Sequence, residues 1–539
     1  MKLFKTFALL ILAMPAFAGV NLKNGNFYVN YTDIIVPGGG QDLEITRTYN
    51  SKSTENGWFG FGWGSNYETY LSVSPDGSVI IHENGAGALT RFVPKTAIDP
   101  VVASKKIVSE MRAKSTITDA QAKDYIDRFS KDAELRQAYA SKYGVTAELA
   151  AGTTLYSNVR GLQVLKVEKD AYVREYNSGK KEVFSTAGLL RKIELKNGYA
   201  VDFKYRTDGT LEQIKDSQAK QLFFEWYPNK KIKKIWSTGE KAAGYKFDND
   251  DLVESTDVGE NTYKYTYDNN HNLQSVAYSD NTKMVINYED KTQFVSRVTS
   301  RNGEVTEYVY GSNPKNPDMH YWTDVIKKRP NEKDAVSRYE YEIKTKADGE
   351  QYTYRIKTVL NDVTTETVYN EDSLPLKITR GKAVTNFKYK DGLLTEKTSS
   401  NGEIYKIEYD PQFNKISKVT DNKGWTNFAY DNKGNLAKAE SSLGQSVLLV
   451  YDRKGRISKM VDSNKDSKRN RVLSFKYNAM DKPVEIEMEN VGKINVAYDN
   501  YGEIKKVESK AGQKMALQVT QAFQSLLSIV KPAGVNLNL

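Results

Sequence analysis

The sequence predicts a mainly β protein, in which a curled or spiralling antiparallel sheet of stacked hairpins forms a partial shell or barrel with a helical insertion and a C-terminal helix. The first observation is a repeated unit that begins with an alternating stretch ending in Tyr-Asp, at Tyr409-Asp410, Tyr430-Asp431 and Tyr451-Asp452, 21 residues apart. The second is composition, with 36 Tyr, 13 Pro and no Cys among 539 residues, because tyrosine favours strands. Self-similarity at this period indicates a stacked repeat architecture.

Residues 1–18 predict an export signal. Lys2 and Lys5 precede a short apolar segment, and Ala16-Phe17-Ala18 matches a small-x-small cleavage site. We therefore expect cleavage between Ala18 and Gly19 and a location in the periplasm, outside the cell or on its surface. The apolar segment is too short to span a bilayer.

Residues 19–94 predict a separate opening β domain. Asn24-Gly25 and Asp76-Gly77 are hairpin-turn signals, and residues 43–49 alternate as a half-buried strand. Residues 57–64 alternate glycine with large aromatic residues. Core packing is expected for rings of this size, and a sugar-stacking surface is the alternative.

Residues 95–150 interrupt the β pattern and predict a helical insertion. Thr118 and Gln121 form a capping-box pair and Gly144 is a stop signal, so one helix is predicted from Thr118 to Tyr143. Residues 101–112 predict a second helix. Packing of an amphipathic helical pair on the sheet explains the pattern, and a lid or partner-docking element is the alternative.

Residues 151–512 predict the repeat array. A hairpin of this length cannot bury its aromatic face alone, so the units are expected to stack, with the Tyr ring in the core. The Asp is expected to accept hydrogen bonds from its own turn, and the Ile/Leu-x-x-apolar motif that follows is predicted to be a strand. We assign this structural role to Tyr267, Asp268, Tyr409, Asp410, Tyr430, Asp431, Tyr451, Asp452, Tyr498 and Asp499.

Residues 513–539 predict a C-terminal amphipathic helix and tail. No charged residue lies between Lys514 and Lys531, and Pro532 is a stop signal. The helix is too short and too polar to cross a bilayer, so no transmembrane segment is expected after signal removal. It is expected to cap the array, and peripheral contact with a lipid surface is the alternative.

The sequence carries no recognisable catalytic or metal-binding motif. His82, His271 and His320 stand in unrelated contexts and are expected to be solvated turn residues. We predict no catalytic residue, no metal and no cofactor, although paired carboxylates for glycoside cleavage stay open because their separation depends on the fold.

A basic loop lies in the longest repeat, between Tyr451 and Tyr477. A solvated hairpin tip is the simplest interpretation, and contact with an anionic surface is the alternative. Export argues against a nucleic-acid partner. The candidate contact residues are Lys465, Lys468, Arg469 and Arg471.

Several motifs in order resemble RHS/YD-repeat proteins. Asn24–Phe27, Ile45–Ser51 and Phe59–Trp63 are similar to the N-terminal domain of that family, and the Tyr-Asp units are similar to its YD repeats. The resemblance covers residues 19–94 and roughly 160–510. It implies an exported, non-enzymatic structural or binding protein at the cell envelope or outside the cell, in contact with carbohydrate or another cell surface.

Two alternatives to this function remain at this point. The protein could be a scaffold that encloses or presents a separately encoded toxin or effector, or a polysaccharide hydrolase with unrecognised carboxylates. Many relatives end their shell with an Asp-Pro-x-Gly-Leu-like segment followed by a toxin. Here Asp99-Pro100 and Asp410-Pro411 are not followed by Gly-Leu, so self-cleavage and a toxin domain are not expected, and an open sheet is expected instead of a closed shell.

Overall fold

The computed structural model describes residues 18–38, 41–85, 87–95, 99–157, 162–239, 241–329, 332–479, 481–499, 504–509 and 512–530, with side chains to residue 527. The predicted signal residues 1–17 and the stop signal Pro532 lie outside the described residues.

The opening block consists of short strands in three small sheets, ordered β1-β2-β3-β6, β4-β5 and β7-β8-β9. The predicted turns at Asn24-Gly25 and Asp76-Gly77 join β1 to β2 and β7 to β8, which confirms them. The strands are β1 Ala18–Asn21, β2 Asn26–Val36, β3 Leu43–Asn50, β4 Asn56–Gly57, β5 Gly60–Phe61, β6 Trp63–Ser65, β7 Tyr70–Val73, β8 Val79–Glu83 and β9 Ala88–Phe92.

Three helices follow, α1 Pro100–Lys114, α2 Asp119–Lys131 and α3 Ala133–Tyr143. The capping box of Thr118 with Gln121 and the left-handed Gly144 are confirmed. The prediction of one helix across residues 118–143 is wrong, because Asp132 adopts an extended conformation and its side chain accepts a hydrogen bond from the Leu135 N–H, so that α3 starts anew.

One antiparallel sheet of 33 strands forms the rest of the protein, with every strand paired to its sequence neighbours. Its strands are β10 Thr154–Ser157, β11 Gln163–Val167, β12 Ala171–Tyr176, β13 Lys181–Ser185, β14 Leu190–Glu194, β15 Ala200–Tyr205, β16 Leu211–Asp216, β17 Gln221–Trp226, β18 Ile232–Trp236, β19 Ala243–Asp248, β20 Asp251–Thr256, β21 Thr262–Tyr267, β22 Leu273–Tyr278, β23 Lys283–Tyr288, β24 Val295–Thr299, β25 Val305–Ser312, β26 His320–Lys327, β27 Ala335–Thr345, β28 Gln351–Leu360, β29 Val363–Tyr369, β30 Pro375–Arg380, β31 Ala383–Lys390, β32 Leu393–Ser399, β33 Ile404–Asp410, β34 Lys415–Asp421, β35 Gly424–Tyr430, β36 Leu436–Ser441, β37 Gln445–Tyr451, β38 Ile457–Asn464, β39 Arg469–Tyr477, β40 Pro483–Met488, β41 Gly492–Tyr498 and β42 Ile504–Ser509. Among these described strands β10 and β42 are not paired with each other, so the predicted open antiparallel sheet of hairpins is confirmed.

A β-bulge explains the Ile/Leu-x-x-apolar motif of the repeat. Tyr451 pairs with Ile457, the register then shifts by one residue, and Leu449 pairs with Met460. In a regular strand residues three apart would face opposite sides, but the extra residue of a bulge restores both to the same face. The same shift directly precedes Tyr267, Tyr409, Tyr430 and Tyr498.

The opening block fills the concave side of the first half of the sheet. Phe59 and Trp63 are fully buried, which confirms core packing for these rings of the glycine-aromatic segment. Trp58 packs edge-on against Trp226 at a centroid distance of 5.8 Å, and the Tyr31 and Tyr278 hydroxyls lie 3.0 Å apart. We call this side of the sheet the inner face and the opening block the plug.

The sheet curls until distant turns meet. Lys196, between β14 and β15, donates from Nζ to the Gly434 carbonyl at 2.7 Å, and Gly434 lies in the turn between β35 and β36. Lys415 donates to the same carbonyl at 2.8 Å. The turn after β14 and the turn after β35 are thus in contact after the sheet has curled round once. The contact is made by the hairpin turns, and the strands that flank them do not pair with each other.

The last element is helix α4, Gly512–Val530, which packs on the inner face at the other end of the array. Met515, Val519 and Ala522 are buried in a second core cluster with side chains of β33–β40. The predicted cap is therefore observed. No helix within the described ranges is long and apolar enough to cross a membrane.

Candidate functional site

The repeat tyrosines join neighbouring units through their hydroxyl groups as well as their rings. Tyr451 donates to the Leu436 carbonyl at 2.8 Å. The acceptor is the residue that pairs with the ladder aromatic of the preceding unit across the bulge, as Leu436 pairs with Tyr430. The same bond is made by Tyr205, Tyr267, Tyr288, Tyr310, Tyr409, Tyr430, Tyr477 and Tyr498, and by the indole N–H of Trp226.

Where an aspartate follows the tyrosine, it organises the turn. Asp431 Oδ1 accepts hydrogen bonds from the Lys433 and Asn435 backbone N–H groups at 2.9 and 2.8 Å. Asp268, Asp410 and Asp452 accept equivalent bonds. These residues have architectural contacts, and among the described residues no group of three or more metal-ligating side chains is present.

Arg47 holds the plug to the sheet and was not singled out by the sequence. Its guanidinium is fully buried and contacts the Asp33 carboxylate at 2.5 and 3.0 Å, the Ser255 hydroxyl at 2.8 Å and the Tyr265 hydroxyl at 3.1 Å. Burial raises the pKa of Asp33 above its ordinary value, against the effect of Arg47. The alternation of β3 could have indicated that Arg47 is buried, because its side chain lies on the same inward side of the strand as Ile45.

Glu68 is a second buried acid between plug and sheet. Its Oε1 accepts a hydrogen bond of 2.7 Å from the Trp58 backbone N–H, and its Oε2 has no hydrogen-bond partner within the described part of the chain. Burial raises the pKa of Glu68 to about 8, although the Trp58 N–H and Lys231 act in the opposite direction. A carboxyl group in this setting is neutral near physiological pH.

The three histidines are held by different partners. His271 lies in a turn, as expected, and its Nδ1 is 2.8 Å from the Asp251 carboxylate. His82 and His320 lie in strands, so their assignment to turns is wrong. His82 stacks on Tyr70 at a centroid distance of 4.1 Å, and His320 Nε2 is 2.8 Å from Glu340.

The four basic loop residues separate into two pairs. Lys465 and Lys468 are exposed at the turn between β38 and β39. Arg469 and Arg471 instead contact Asp462, whose side chain is fully buried, at 3.1 Å each. Arg471 also donates to Gln518 and Gln521 of α4 at 2.8 and 2.6 Å.

The assignment of Arg469 and Arg471 to an anionic surface is therefore corrected. Their guanidinium groups hold the C-terminal helix through Asp462 and the amide side chains of α4. Contact with an anionic surface stays a prediction for Lys465 and Lys468 only. The polar side of α4 faces these arginines at Gln518 and Gln521.

The middle of the inner face, from β25 to β32, has little covering structure among the described residues: the plug reaches it at Tyr308 and at Thr323, whose hydroxyl donates to the Leu22 carbonyl at 2.6 Å. The plug cluster extends along the sheet to Val295, and the α4 cluster begins at Tyr405. Between them the only buried apolar side chains among the described residues are Tyr341 and Ile343. We call this stretch the uncovered inner surface.

The register of the strands identifies the side chains that line the uncovered inner surface. Ile286 of the plug cluster pairs with Val298, and Val298 pairs with Thr306, so alternation carries the inner face into β25 and onward. These positions are rich in tyrosine and threonine, and their charged residues within the described strands are basic: Lys327, Arg380 and Lys397. The aromatic and hydroxyl positions include Tyr308, Tyr310, Tyr321, Tyr339, Tyr341, Thr358, Thr365, Thr367, Tyr369, Thr385, Phe387 and Tyr389.

One edge of this surface is fixed by the helical insertion. The turn between β27 and β28 is held from two sides, because Arg91 of the plug contacts the Asp348 carboxylate at 2.6 Å and Arg136 of α3 donates to the Asp348 carbonyl at 3.1 Å. The insertion thus joins plug and sheet.

A curled, open sheet of Tyr-Asp hairpins around an N-terminal plug defines a shell-like structural protein. A family model described as Domain of unknown function (DUF6531) matches residues 18–92, and one described as Teneurin YD-shell matches residues 411–538. These matches cover the plug and the end of the array. They bear out the resemblance of the chain to the RHS/YD-repeat family.

Individual relatives match over limited lengths. The tRNA3(Ser)-specific nuclease WapA of Bacillus spizizenii is 37% identical over 65 residues, which is 12% of this chain and 3% of WapA. Two crystal structures, TcdB2-TccC3 without hypervariable C-terminal region and TcdB2-TccC3-TEV, align with 10% and 11% identity and a TM-score of 0.38 each. The alignments cover 89% and 95% of this chain, and 29% and 30% of the chains in those structures.

Proposed function

We propose that the protein is an exported, non-enzymatic YD-repeat scaffold that binds a polypeptide on its uncovered inner surface, at the cell envelope or outside the cell. The supporting observation is that this surface lies between two stretches of the same face that polypeptide already covers, the plug on one side and α4 on the other. The inner face is therefore a surface on which folded chain packs.

The charge of the surface favours an acidic partner. Lys327 and Arg380 are exposed at inner positions, and the alternation places no Asp or Glu at the inner positions of the described strands β25–β32. A partner that carries carboxylates would pair with these cations and present apolar groups to the tyrosine rings. A separately encoded effector that is held in this position is the most specific form of the proposal.

Carbohydrate is the second candidate ligand. The surface combines tyrosine rings with the hydroxyl groups of tyrosines and neighbouring threonines, as at Tyr339 and Thr358, which pair across β27 and β28. The rings could stack on a sugar and the hydroxyl groups could form hydrogen bonds with it. The open, elongated shape of the surface would fit an extended glycan.

Thr364 and Thr365 provide a matched pair for the test. They are neighbours in β29, and register places Thr365 on the inner face, opposite Thr358, while Thr364 faces the other side. A photoreactive amino acid at position 365 is expected to crosslink one defined polypeptide in the producing cells, and the same group at position 364 is expected not to. The purified partner should then bind the unmodified protein and lose affinity to Thr365→Arg but not to Thr364→Arg.

Three results would contradict parts of the proposal. Retention on a glycan array that Thr365→Arg abolishes would assign the surface to carbohydrate. Turnover of a polysaccharide that one Asp or Glu substitution abolishes would show an enzyme. Fractionation of the cells that finds the mature chain in the cytoplasm would contradict the export prediction.

A further inference from the structure

The contact between the hairpin turns after β14 and β35 holds positive charges close together. The ammonium groups of Lys196 and Lys415 both donate to the Gly434 carbonyl, at 2.7 and 2.8 Å, so the two nitrogen atoms are near neighbours. Like charges at short range repel each other, and a neutral carbonyl supplies no counter-charge for either ammonium group. The place where the curled sheet meets itself is therefore a place of uncompensated positive charge.

No carboxylate in the described part of the chain forms an ion pair with Lys196 or Lys415. Asp431 acts on Lys196 from a distance, and its carboxylate already accepts hydrogen bonds from the backbone N–H groups of Lys433 and Asn435. Burial and the proximity of Lys415 lower the pKa of Lys196 to about 8, against the smaller opposite effect of Asp431. The protein thus holds this ammonium group without neutralising it.

Other lysines in nearby hairpin turns do have acidic partners. Lys180, in the turn after β12, contacts Glu182 at 2.7 Å. Lys454, in the turn after β37, contacts Asp481 at 3.3 Å. The missing counter-charge is therefore a particular feature of the contact between the turns after β14 and β35, and not a general property of lysines at the hairpin tips.

An open groove of about 400 Å³ lies beside this contact. Lys196 and Lys415 line it together with a third lysine, Lys433, whose side chain forms no hydrogen bond or ion pair within the described structure. The side chains of Gln412 and Asn414 also line the groove, and amide groups are donors as well. We call this groove the lysine groove.

The acids of the lysine groove are already paired. Glu175 and Glu194 line it, but Glu175 contacts Lys166 and Lys181 at 2.7 and 3.1 Å, and Glu194 contacts Lys192 at 3.6 Å. The groove therefore keeps an excess of positive charge, which an anion from solution could neutralise.

We propose that the lysine groove binds a small multivalent oxyanion of the phosphate or diphosphate class, and that the bound anion fastens the curled sheet where it meets itself. The oxygen atoms of the anion would accept charge-assisted hydrogen bonds from Lys196 on one side and from Lys415 and Lys433 on the other. The anion thus replaces a repulsion between distant hairpin turns with an attraction to both. The groove lies at the hairpin tips, so the proposal is independent of what binds the uncovered inner surface.

The test is calorimetric titration of the full chain with sodium diphosphate, with sodium chloride at equal ionic strength as the reference. We expect saturable binding of diphosphate with a Kd below about 1 mM and no saturable binding of chloride. Bound diphosphate should slow amide hydrogen exchange in residues 195–198 and 432–434, the two hairpin turns in contact. Lys415→Gln should weaken binding at least about tenfold, because it removes a charge-assisted hydrogen bond.

Lys433→Gln is a second variant that leaves the contacts of the fold intact, and it should weaken binding about fivefold or more. Lys454→Gln is the matched control, since it removes the same charge from a nearby hairpin turn where the lysine is already paired with Asp481, and it should leave binding unchanged. Absence of saturable binding, equal binding to the Lys415→Gln and Lys454→Gln variants, an equal effect of chloride, or slower exchange only outside the two turns would overturn the proposal.

Discussion

The hydroxyl group explains why tyrosine rather than phenylalanine dominates the ladder. The ring fills the space between strands, and the hydroxyl reaches a carbonyl at a bulge, where regular strand pairing leaves an acceptor available. Phe247 occupies one ladder position and its unit remains part of the sheet. The hydroxyl bond is therefore a stabilising addition to each unit and not a condition for the fold.

We expect Tyr451→Phe to lower the free energy of unfolding by about 1 kcal/mol, since it removes one partly buried hydrogen bond and leaves the Leu436 carbonyl without its donor. Urea denaturation followed by tyrosine and tryptophan fluorescence measures this. The control is Tyr389→Phe, at the same ladder position, whose hydroxyl makes no hydrogen bond in the described structure. Equal losses in both variants would show that the hydroxyl bond contributes nothing.

Glu68 makes stability depend on pH. Its pKa rises from the ordinary 4.5 to about 8 on folding because the carboxyl is buried. Between these values the folded chain holds a proton that the unfolded chain has released, so this contribution to stability falls as pH rises, by up to about 1.4 kcal/mol per pH unit.

Glu68→Gln should therefore flatten the decline of stability between about pH 5 and about pH 8. Denaturant unfolding at several pH values in this range gives the slope. Glu408→Gln is the control, because the Glu408 side chain is 66% exposed and its removal should leave the slope of the unmodified protein. The same slope in Glu68→Gln as in the control would contradict a neutral Glu68.

The role of a residue could be predicted from the sequence where its contacts are made with residues close to it in the chain. The aspartate turns follow from short-range backbone geometry, and the structure shows the expected bonds at Asp431 and Asp452. Arg47 and Glu68 were not identifiable, because their burial depends on strands that pack on them from more than a hundred residues away in sequence.

At the level of single elements, the bulge and the C-terminal helix carry the main lessons. The bulge turns a three-residue spacing, which would suit a helix, into a strand motif, and the recurring turns were enough to reject the helix. The break at Asp132 was missed because an aspartate within a helical pattern also serves as an N-cap. The contact of α4 with Arg471 could not be predicted, because the sequence pattern shows which side of the helix is polar but not which distant loop that side contacts.

We expect Arg471→Ala to lower the free energy of unfolding by about 1–3 kcal/mol, because it removes charge-assisted hydrogen bonds to Gln518 and Gln521 and leaves the buried Asp462 with Arg469 alone. Hydrogen exchange in residues 512–527 should become faster. Lys468→Ala, in the same hairpin but exposed, should change stability by less than about 0.5 kcal/mol. Unchanged exchange of α4 in Arg471→Ala would contradict the anchoring role.

At the level of the whole molecule, the sheet is continuous but its core is not. The plug cluster and the α4 cluster are separate, and the uncovered inner surface lies between them. In a repeat array each unit depends on its neighbours, so two covered regions with an uncovered region between them can lose structure separately.

Hydrogen exchange across a denaturant series should thus show two protected regions with different unfolding free energies and the least protection in β25–β32. Phe224→Ala should destabilise the first region and Leu449→Ala the second, each by roughly 2–5 kcal/mol. Both side chains are buried, one in each cluster. If the whole chain unfolds in a single transition, and either substitution destabilises all of it, the protein is one cooperative folding unit.

The overall architecture followed from the 21-residue period, and the plug's own turns and strands followed from its motifs. The insertion of the plug into the sheet did not, because no local pattern records which residues meet across long sequence distances. For the same reason the uncovered inner surface could not be predicted: the sequence shows that the ladder is irregular between Tyr310 and Tyr369, but no local pattern shows which parts of the sheet another element covers.

The depth of the plug has a consequence for how the chain is made. Arg47 and its partner Ser255 are separated by 208 residues, and chains grow from the N-terminus at about 5–20 residues per second, so the strands that enclose the plug arrive roughly 10 to 40 s after it. During that interval Asp33 and Arg47, which are buried in the folded protein, have no sheet strands to pack against. A chaperone that holds residues 18–92 until β20 emerges would protect these strands during that interval.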